Sequence, residues 1–185
     1  NTPFGDSTIQ KSGCVLSSYA MGVSSLLGEP ITPDKLYSEH KSSFTDDGSI
    51  LWSSMNKDLE KEYGIKTKLF TSKMSPSTFK EYLSNGYPIV MYADNASTGT
   101  ATNYSGGLPQ HSVLATKYNS SNNTFRVNDP GKRVNLDKDI PINDTTINNG
   151  NTTAKWVVLE GPNGNGVPSK ISSIEDGLDQ MEAIA

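Results

Sequence analysis

The sequence predicts an α+β domain whose helices precede an antiparallel β-sheet. Apolar residues recur at helical spacing in the first half of the chain, most clearly over residues 16–27. The second half instead contains short runs rich in β-branched and aromatic residues, such as residues 88–93. Because the strands follow the helices rather than alternating with them, the pattern favours a segregated α+β arrangement.

The helices are predicted from start and stop signals as well as from periodicity. Glycine is typical just after a helix, and a Ser or Thr cap followed by proline is typical of a helix start. In chain order the helices are expected from Cys14 to Gly28, from the Thr32-Pro33 pair onward, from Ser49 to Tyr63, and from Ser75 to residues 85–86.

Strands and turns account for most of the remaining domain. The strands are expected at residues 65–70, 88–93, 111–118, 124–128 and 156–159, with a hairpin turn at residues 119–123. Residues 94–110 and 135–155 are predicted to be polar loops. We therefore expect one domain over residues 1–160, a Gly-rich linker over residues 161–168 and a C-terminal helix over residues 169–185.

The composition argues against two classes of partner. The 185 residues carry a formal net charge of −4, whereas binding to a nucleic-acid backbone requires a basic face. No run approaches the ~18 apolar residues of a membrane span. Only 34% of the residues are hydrophobic and 19% are charged, a composition that predicts an extracellular, cell-surface or virion protein. The start at Asn1, without a signal-peptide pattern, predicts a part of a larger multidomain or virion protein.

Cys14 is the one cysteine of the chain, so an intramolecular disulfide is excluded. It lies where the first helix is predicted to begin, and a helix N-terminus stabilises an anion such as a thiolate. The alternative is a small core residue, because free cysteine is among the most buried residue types.

The two histidines differ in their surroundings. His111 opens a predicted strand, and Asp129 follows the partner strand across the hairpin, so the two are expected to lie close together. Asp129 could then orient one imidazole nitrogen while the other faces a thiol. The alternatives are an ordinary turn at Asn-Asp-Pro-Gly and a strand histidine satisfied by the backbone. His40 lies in a hydrophilic stretch and is expected to be a solvated surface residue.

The order Cys, His, Asp and the motifs around it resemble the papain-like cysteine peptidases of the C39-like group, relatives of the bacteriocin-leader peptidases. The resemblance spans residues 5 to about 160 and is carried by Ser12-Gly13-Cys14, Ser17-Ser18-Tyr19-Ala20-Met21, Ile31-Thr32-Pro33, Trp52, Tyr63-Gly64-Ile65, residues 83–90, His111-Ser112-Val113-Leu114 and Val127-Asn128-Asp129-Pro130. It implies a papain-like fold in which an N-terminal helix carrying the cysteine packs on an antiparallel sheet carrying the histidine and aspartate.

The resemblance also implies a role for each site residue. Cys14 would be the nucleophile, His111 the general base and later acid, and Asp129 the group that orients the imidazole. The backbone N–H of Cys14 would stabilise the oxyanion together with one side-chain donor. In leader peptidases that donor is a glutamine about six positions before the cysteine, where this chain has Thr8. We therefore predict Gln10 as the donor, with Thr8 or Ser7 as substitutes and an exposed polar loop residue as the alternative.

The function expected from this resemblance is cysteine-dependent hydrolysis of amide bonds through an acyl-enzyme. The polar composition favours a surface, secreted or virion protein. For a papain-like module in that setting the resemblance implies peptidoglycan as the substrate, as for a cell-wall endopeptidase or amidase of a phage tail or an endolysin. A protein-directed or autoprocessing peptidase is the alternative enzyme. A degenerate papain-like binding or structural module is the alternative without catalysis, and the displaced glutamine favours it.

No cofactor and no metal ligands are predicted for this chemistry. The sequence has no Cys/His cluster typical of zinc and no Gly-rich phosphate loop after a strand. Residues 44–49 lack the spaced carboxylates of a calcium loop and are interpreted as a turn with a helix cap. Trp52 and Trp156 are predicted to be core residues.

Overall fold

The computed structural model describes residues 3–4, 7–8, 13–94, 110–131, 138–148 and 153–167. Its helices are α1 (Cys14–Leu27), α2 (Pro33–Glu39), α3 (Trp52–Tyr63), α4 (Pro76–Ser84) and α5 (Asp144–Asn148). Its strands are β1 (Pro3–Phe4), β2 (Ser7–Thr8), β3 (Lys66–Phe70), β4 (Ile89–Asp94), β5 (Gln110–Asn119), β6 (Thr124–Asn128), β7 (Ile140–Pro141) and β8 (Thr153–Glu160). Short 3-10 turns occupy Lys41–Ser43 and Pro162–Gly164.

Six of these strands form one sheet in the order β3-β8-β4-β5-β6-β7. Every neighbouring pair in this sheet is antiparallel. Strands β1 and β2 form a separate antiparallel pair. The predicted α+β class with an antiparallel sheet is therefore confirmed.

The sheet carries an apolar cluster on each face because successive strand residues point to opposite sides. On one face Val90 and Leu114 pack with residues of α1, α2 and α3. On the other face Ile89 and Met91 pack with α4 and with residues around β7 and α5. Helix α1 approaches the sheet closely at Gly22, where an added Cβ would overlap Leu159 Cδ1. The helix that begins at Cys14 is thereby pressed directly against the central strands.

The predicted helix ends are mostly confirmed. Gly28 and Gly64 adopt left-handed φ values of 69° after α1 and α3, a conformation that favours glycine. Thr32 caps α2 by accepting from the Lys35 N–H at 3.3 Å. The predicted start of α3 at Ser49 was wrong. The Ser49 N–H donates to side chains within the preceding turn instead, and the helix begins at Trp52.

The predicted loop over residues 135–155 was wrong for its described part. It contains β7, α5 and the first residues of β8, so the last strand begins at Thr153 and not at Trp156. Two buried contacts tie this segment to the domain. The Asn148 side chain bonds both the N–H and the C=O of Met74, and the Trp156 indole donates to Ile147 O at 3.1 Å. A polar sequence formed ordered structure here because its backbone groups found buried partners.

The segment after β8 contacts the domain as far as it is described. The Val167 N–H donates to Gly86 O at 2.8 Å, and the Tyr87 hydroxyl donates to Gly164 O at 2.6 Å. The domain boundary at residue 160 and the linker remain predictions. The predicted helix over residues 169–185 and residues 95–109 of the predicted loop lie outside the described residues. Among the described helices, none has the length and apolar character needed to cross a membrane.

Candidate active site

Cys14 is the first residue of α1, directly after Gly13. The N–H groups of a first helical turn have no acceptor within the helix, and the helix dipole adds partial positive charge there. The first turn of α1 contains no acidic side chain. Cys14 is also partly exposed, so the alternative of a buried core cysteine is wrong. The sulfur lies where an anion is stabilised and where a substrate can reach it.

His111 and Asp129 meet across the β5–β6 hairpin. His111 lies in β5, Asp129 directly follows β6, and the two strands pair with Leu114 opposite Asn128. His111 Nε2 lies 2.8 Å from Asp129 Oδ1. Both residues are only 4% exposed. The proximity predicted from the hairpin spacing is therefore confirmed.

The turn after β6 holds the Asp129 carboxylate in place. The Gly131 N–H donates to Asp129 Oδ1 at 2.8 Å, the same oxygen that contacts His111. A Cβ at position 131 would lie 3.4 Å from this oxygen and 3.5 Å from His111 Cε1. The Asn-Asp-Pro-Gly sequence thus makes an ordinary turn and also orients the carboxylate, so the two interpretations of Asp129 are compatible.

Cys14 contacts the imidazole from the side of the helix. Burial acts to lower the pKa of His111, but hydrogen bonds with Asp129 and Cys14 and the negative charge of both raise that pKa from 6.5 to about 9. The structure therefore brings all three predicted residues together.

Two buried serines connect α1 to the strand that carries His111. The Ser18 hydroxyl donates to Cys14 O at 2.8 Å, one helical turn away. The Ser112 hydroxyl in turn donates to Ser18 Oγ at 3.2 Å. Both serines are fully buried. Since Ser112 is next to His111 in β5, these two hydrogen bonds link the first turn of α1 to the strand that carries the imidazole.

A groove of about 370 Å³ opens beside Cys14. Trp52 and Tyr92 form an aromatic wall, with ring centroids 5.5 Å apart. The Asp47 carboxylate and Ser49 lie at its polar rim. A groove that combines aromatic surface with a few polar groups is typical of a small-ligand or substrate site.

Trp52 meets the prediction of a core residue only in part. Its side chain is partly buried and packs against the core, but it also lines the groove. The Lys155 ammonium lies 5.8 Å from the Trp52 ring centroid and 5.6 Å from that of Tyr92. Trp156, by contrast, is 1% exposed and belongs to the core as predicted. The two tryptophans differ because only Trp52 sits at the start of a helix that borders the groove.

The predicted oxyanion donor cannot be placed. Gln10 lies outside the described residues, and the side chains of Ser7 and Thr8 do as well, although their backbone forms β2. The role of Gln10 stays a prediction. The Cys14 N–H, the other predicted donor, belongs to the first turn of α1 and has no acceptor within that helix.

The prediction that His40 is solvated was wrong. It is 7% exposed, and its ring lies between two carboxylates. His40 Nδ1 is 3.3 Å from Asp58 Oδ2, and Nε2 is 2.7 Å from Glu62 Oε2. The hydrophilic neighbours of His40 in sequence misled the prediction, because its burial comes from α3, which follows later in the chain.

Sequence reasoning missed several groups that complete the site. Ser18 follows Cys14 by four residues, so its bond to the Cys14 carbonyl was readable from helical spacing. Tyr92 and Lys155 face each other only because β4 pairs with β8. That pairing joins strands far apart in the chain, and no local pattern indicates it.

Comparison with known proteins places the chain in a family. The model of the Peptidase_C39 like family matches residues 4–160. A crystal structure from Bacillus anthracis, described as that of a C39-like peptidase, is similar with a TM-score of 0.52. That likeness covers 80% of this chain and 88% of the other at 17% sequence identity. A comparison with curated protein sequences gives no match.

The family match extends over nearly all of the described domain, from β1 to the end of β8. The chain therefore belongs to the Peptidase_C39 like family. The structural likeness, at its low sequence identity, supports the papain-like fold, which the six-stranded antiparallel sheet and its helices match. The family supports a cysteine peptidase at the level of the class.

Proposed function

We propose that this protein is a cysteine-dependent hydrolase that cleaves amide bonds of peptidoglycan. The observation that carries the hydrolytic part is the contact of Cys14, His111 and Asp129 beside an open groove. A thiol, an imidazole and an orienting carboxylate in contact are the components of acyl transfer by a cysteine nucleophile.

The first half of the reaction would form an acyl-enzyme. With the His111 ring protonated, the Cys14 sulfur attacks the amide carbonyl as a thiolate. The oxyanion accepts a hydrogen bond from the Cys14 N–H, with Gln10 as the predicted second donor. The C–N bond breaks as His111 transfers its proton to the leaving amine.

The second half would release the acyl group to water. The now neutral His111 accepts a proton from a water molecule, which attacks the thioester carbonyl. The C–S bond breaks, and the thiolate and imidazolium pair is restored. Throughout, Asp129 keeps one imidazole nitrogen engaged, so the other stays directed at the sulfur.

Two observations support peptidoglycan as the substrate class. The groove is lined by the partly buried Trp52 and Tyr92, and aromatic side chains of this kind can pack against sugar rings or peptide planes. The chain is polar and weakly charged, with 19% charged residues, as expected of a protein that works at a cell surface or in a virion.

The test is digestion of purified Gram-positive cell walls by the wild-type protein and by Cys14→Ala and His111→Ala variants. We expect release of free amino groups, without new reducing sugar ends, by the wild type alone. N-terminal analysis of the products separates an amidase, which frees the first alanine of the stem, from an endopeptidase. No release by the wild type, or equal release by Cys14→Ala, would refute the proposal.

The family description favours a protein-directed peptidase as the second candidate, because the family is named for peptidases. Cleavage of a protein substrate or of the precursor, without release from cell walls, would establish this candidate instead. Iodoacetamide labelling addresses the degenerate alternative. A thiolate beside a charged imidazole reacts rapidly even at mildly acidic pH, whereas an inert thiol does not.

A further inference from the structure

A second cluster of polar side chains lies where α2 and α3 end. Glu39 is the last residue of α2, His40 follows it, and Glu62 is in the last turn of α3. One ligand atom from each residue lies within 4.8 Å of the others. The mechanism proposed above uses none of these groups.

The imidazole of His40 is held in one orientation. Its Nδ1 lies 3.3 Å from Asp58 Oδ2, and the Ser43 hydroxyl donates to that same oxygen at 2.6 Å. A carboxylate on one nitrogen of a histidine is the usual way to direct its other nitrogen at a metal ion. Here the other nitrogen, Nε2, faces Glu62.

His40 Nε2 is buried and has no hydrogen-bond partner, although Glu62 Oε2 is only 2.7 Å away. The two atoms approach each other without the geometry of a hydrogen bond. A buried polar atom without a partner is uncommon in folded proteins and calls for an explanation such as an ion. The His40 side chain is only 7% exposed, so solvent water has little access to Nε2 as a hydrogen-bond partner.

The charge around His40 is strongly negative. Three carboxylates, those of Glu39, Asp58 and Glu62, surround one imidazole. The Tyr63 hydroxyl donates to Glu39 Oε2 at 3.4 Å. A cation would relieve the repulsion among these groups.

We propose that Glu39, His40 and Glu62 bind a divalent ion of the zinc class, with Asp58 orienting the imidazole. One imidazole nitrogen and two carboxylates suit zinc and similar ions, whereas calcium and magnesium prefer oxygen ligands alone. Three protein ligands leave a fourth position for water. The ion would join the C-terminal ends of α2 and α3, and so stabilise the folded state by mass action.

The competing account is that His40 contacts only Asp58 and Glu62 and binds no metal. The two accounts differ in their response to zinc. The sequence shows no zinc motif here. Glu39 and His40 are adjacent at the end of α2, whereas Glu62 comes from α3, so the three ligands lack the short repeated spacing of a zinc motif.

The test uses the full chain with Cys14→Ala as the background, which removes the thiol as a competing zinc ligand. The protein is freed of metal with a chelator and titrated with zinc chloride by calorimetry, and its thermal unfolding is recorded with and without zinc. We expect one bound equivalent, a higher melting temperature, and no comparable effect of magnesium.

Variants on the same background locate the ion. Asp58→Asn is expected to weaken zinc binding by about 10–100-fold, and Glu39→Gln and Glu62→Gln by no less. Both glutamates are exposed, so replacing them does not disturb the packing of the core. Glu60→Gln is the matched control, because Glu60 is an exposed residue of the same helix two positions from Glu62 and faces elsewhere. The proposal would be overturned if the Cys14→Ala protein bound no zinc. It would also be overturned if Glu39→Gln and Glu62→Gln bound zinc as tightly as the Cys14→Ala background does.

Discussion

The charge state of His111 is the property of the site that can be tested most directly. Its pKa is raised from 6.5 to about 9, against the effect of burial, by Asp129 and Cys14. The two partners contribute unequally, because the Asp129 hydrogen bond is the larger of the two. We therefore expect the His111 pKa to fall in a Cys14→Ala variant and to fall further in Asp129→Asn.

The contribution of the raised His111 pKa to the free energy of unfolding follows from the same two pKa values. A rise from 6.5 to about 9 corresponds to about 3 kcal/mol of preference for the protonated ring in the folded state. Since the folded pKa is the higher one, this contribution to stability is complete below pH 6.5 and is lost as the pH rises through about 9. The free energy of unfolding should therefore decrease between these values, and less so in Asp129→Asn.

The assay is an NMR titration of histidine rings labelled with ¹⁵N. The chain has only two histidines, so two ring systems appear, and a His111→Gln variant assigns them. Urea unfolding at pH 6 and at pH 10 gives the stability difference for the wild type and for Asp129→Asn. A wild-type His111 that titrates at or below 6.5, or that is unchanged by both substitutions, would refute the reasoning.

Two further predictions concern the packing that positions the cysteine. Ser18→Ala leaves the buried Ser112 hydroxyl without its partner, which should cost about 1–3 kcal/mol in urea unfolding. An unchanged unfolding midpoint would contradict the role given to this pair. Gly22→Ala should destabilise the protein by about 1–3 kcal/mol, because the new methyl group overlaps Leu159. Thermal unfolding checks this, and a higher melting temperature would show that helix propensity outweighs the overlap.

Local patterns were reliable where neighbouring residues decide the structure. Helix α1 ends at Gly28 because glycine adopts the left-handed conformation there, and α2 starts at a Thr-Pro pair, both as predicted. The β5–β6 hairpin followed from its turn sequence. The start of α3 at Ser49 failed since side chains of its own turn bind the Ser49 N–H first.

Polarity was a poor guide to burial where distant segments pack together. His40 looked like a surface residue, yet α3 covers it and supplies Asp58 and Glu62. Trp52 packs against the core, yet it also borders a groove. The segment before β8 looked like a loop, yet Asn148 anchors it to Met74. In each case the deciding contact comes from a part of the chain that short-range periodicity does not report.

Spacing along the chain was enough to indicate the three side chains that could carry the chemistry. Cys14 stands at a helix start, and a single hairpin brings Asp129 to His111, so both features depend on spacing along the chain. The contact between the start of α1 and the imidazole on β5 could be found only from the packing of the folded chain. That contact depends on the close approach at Gly22 and on the buried serines, which are packing interactions between segments at least 94 residues apart.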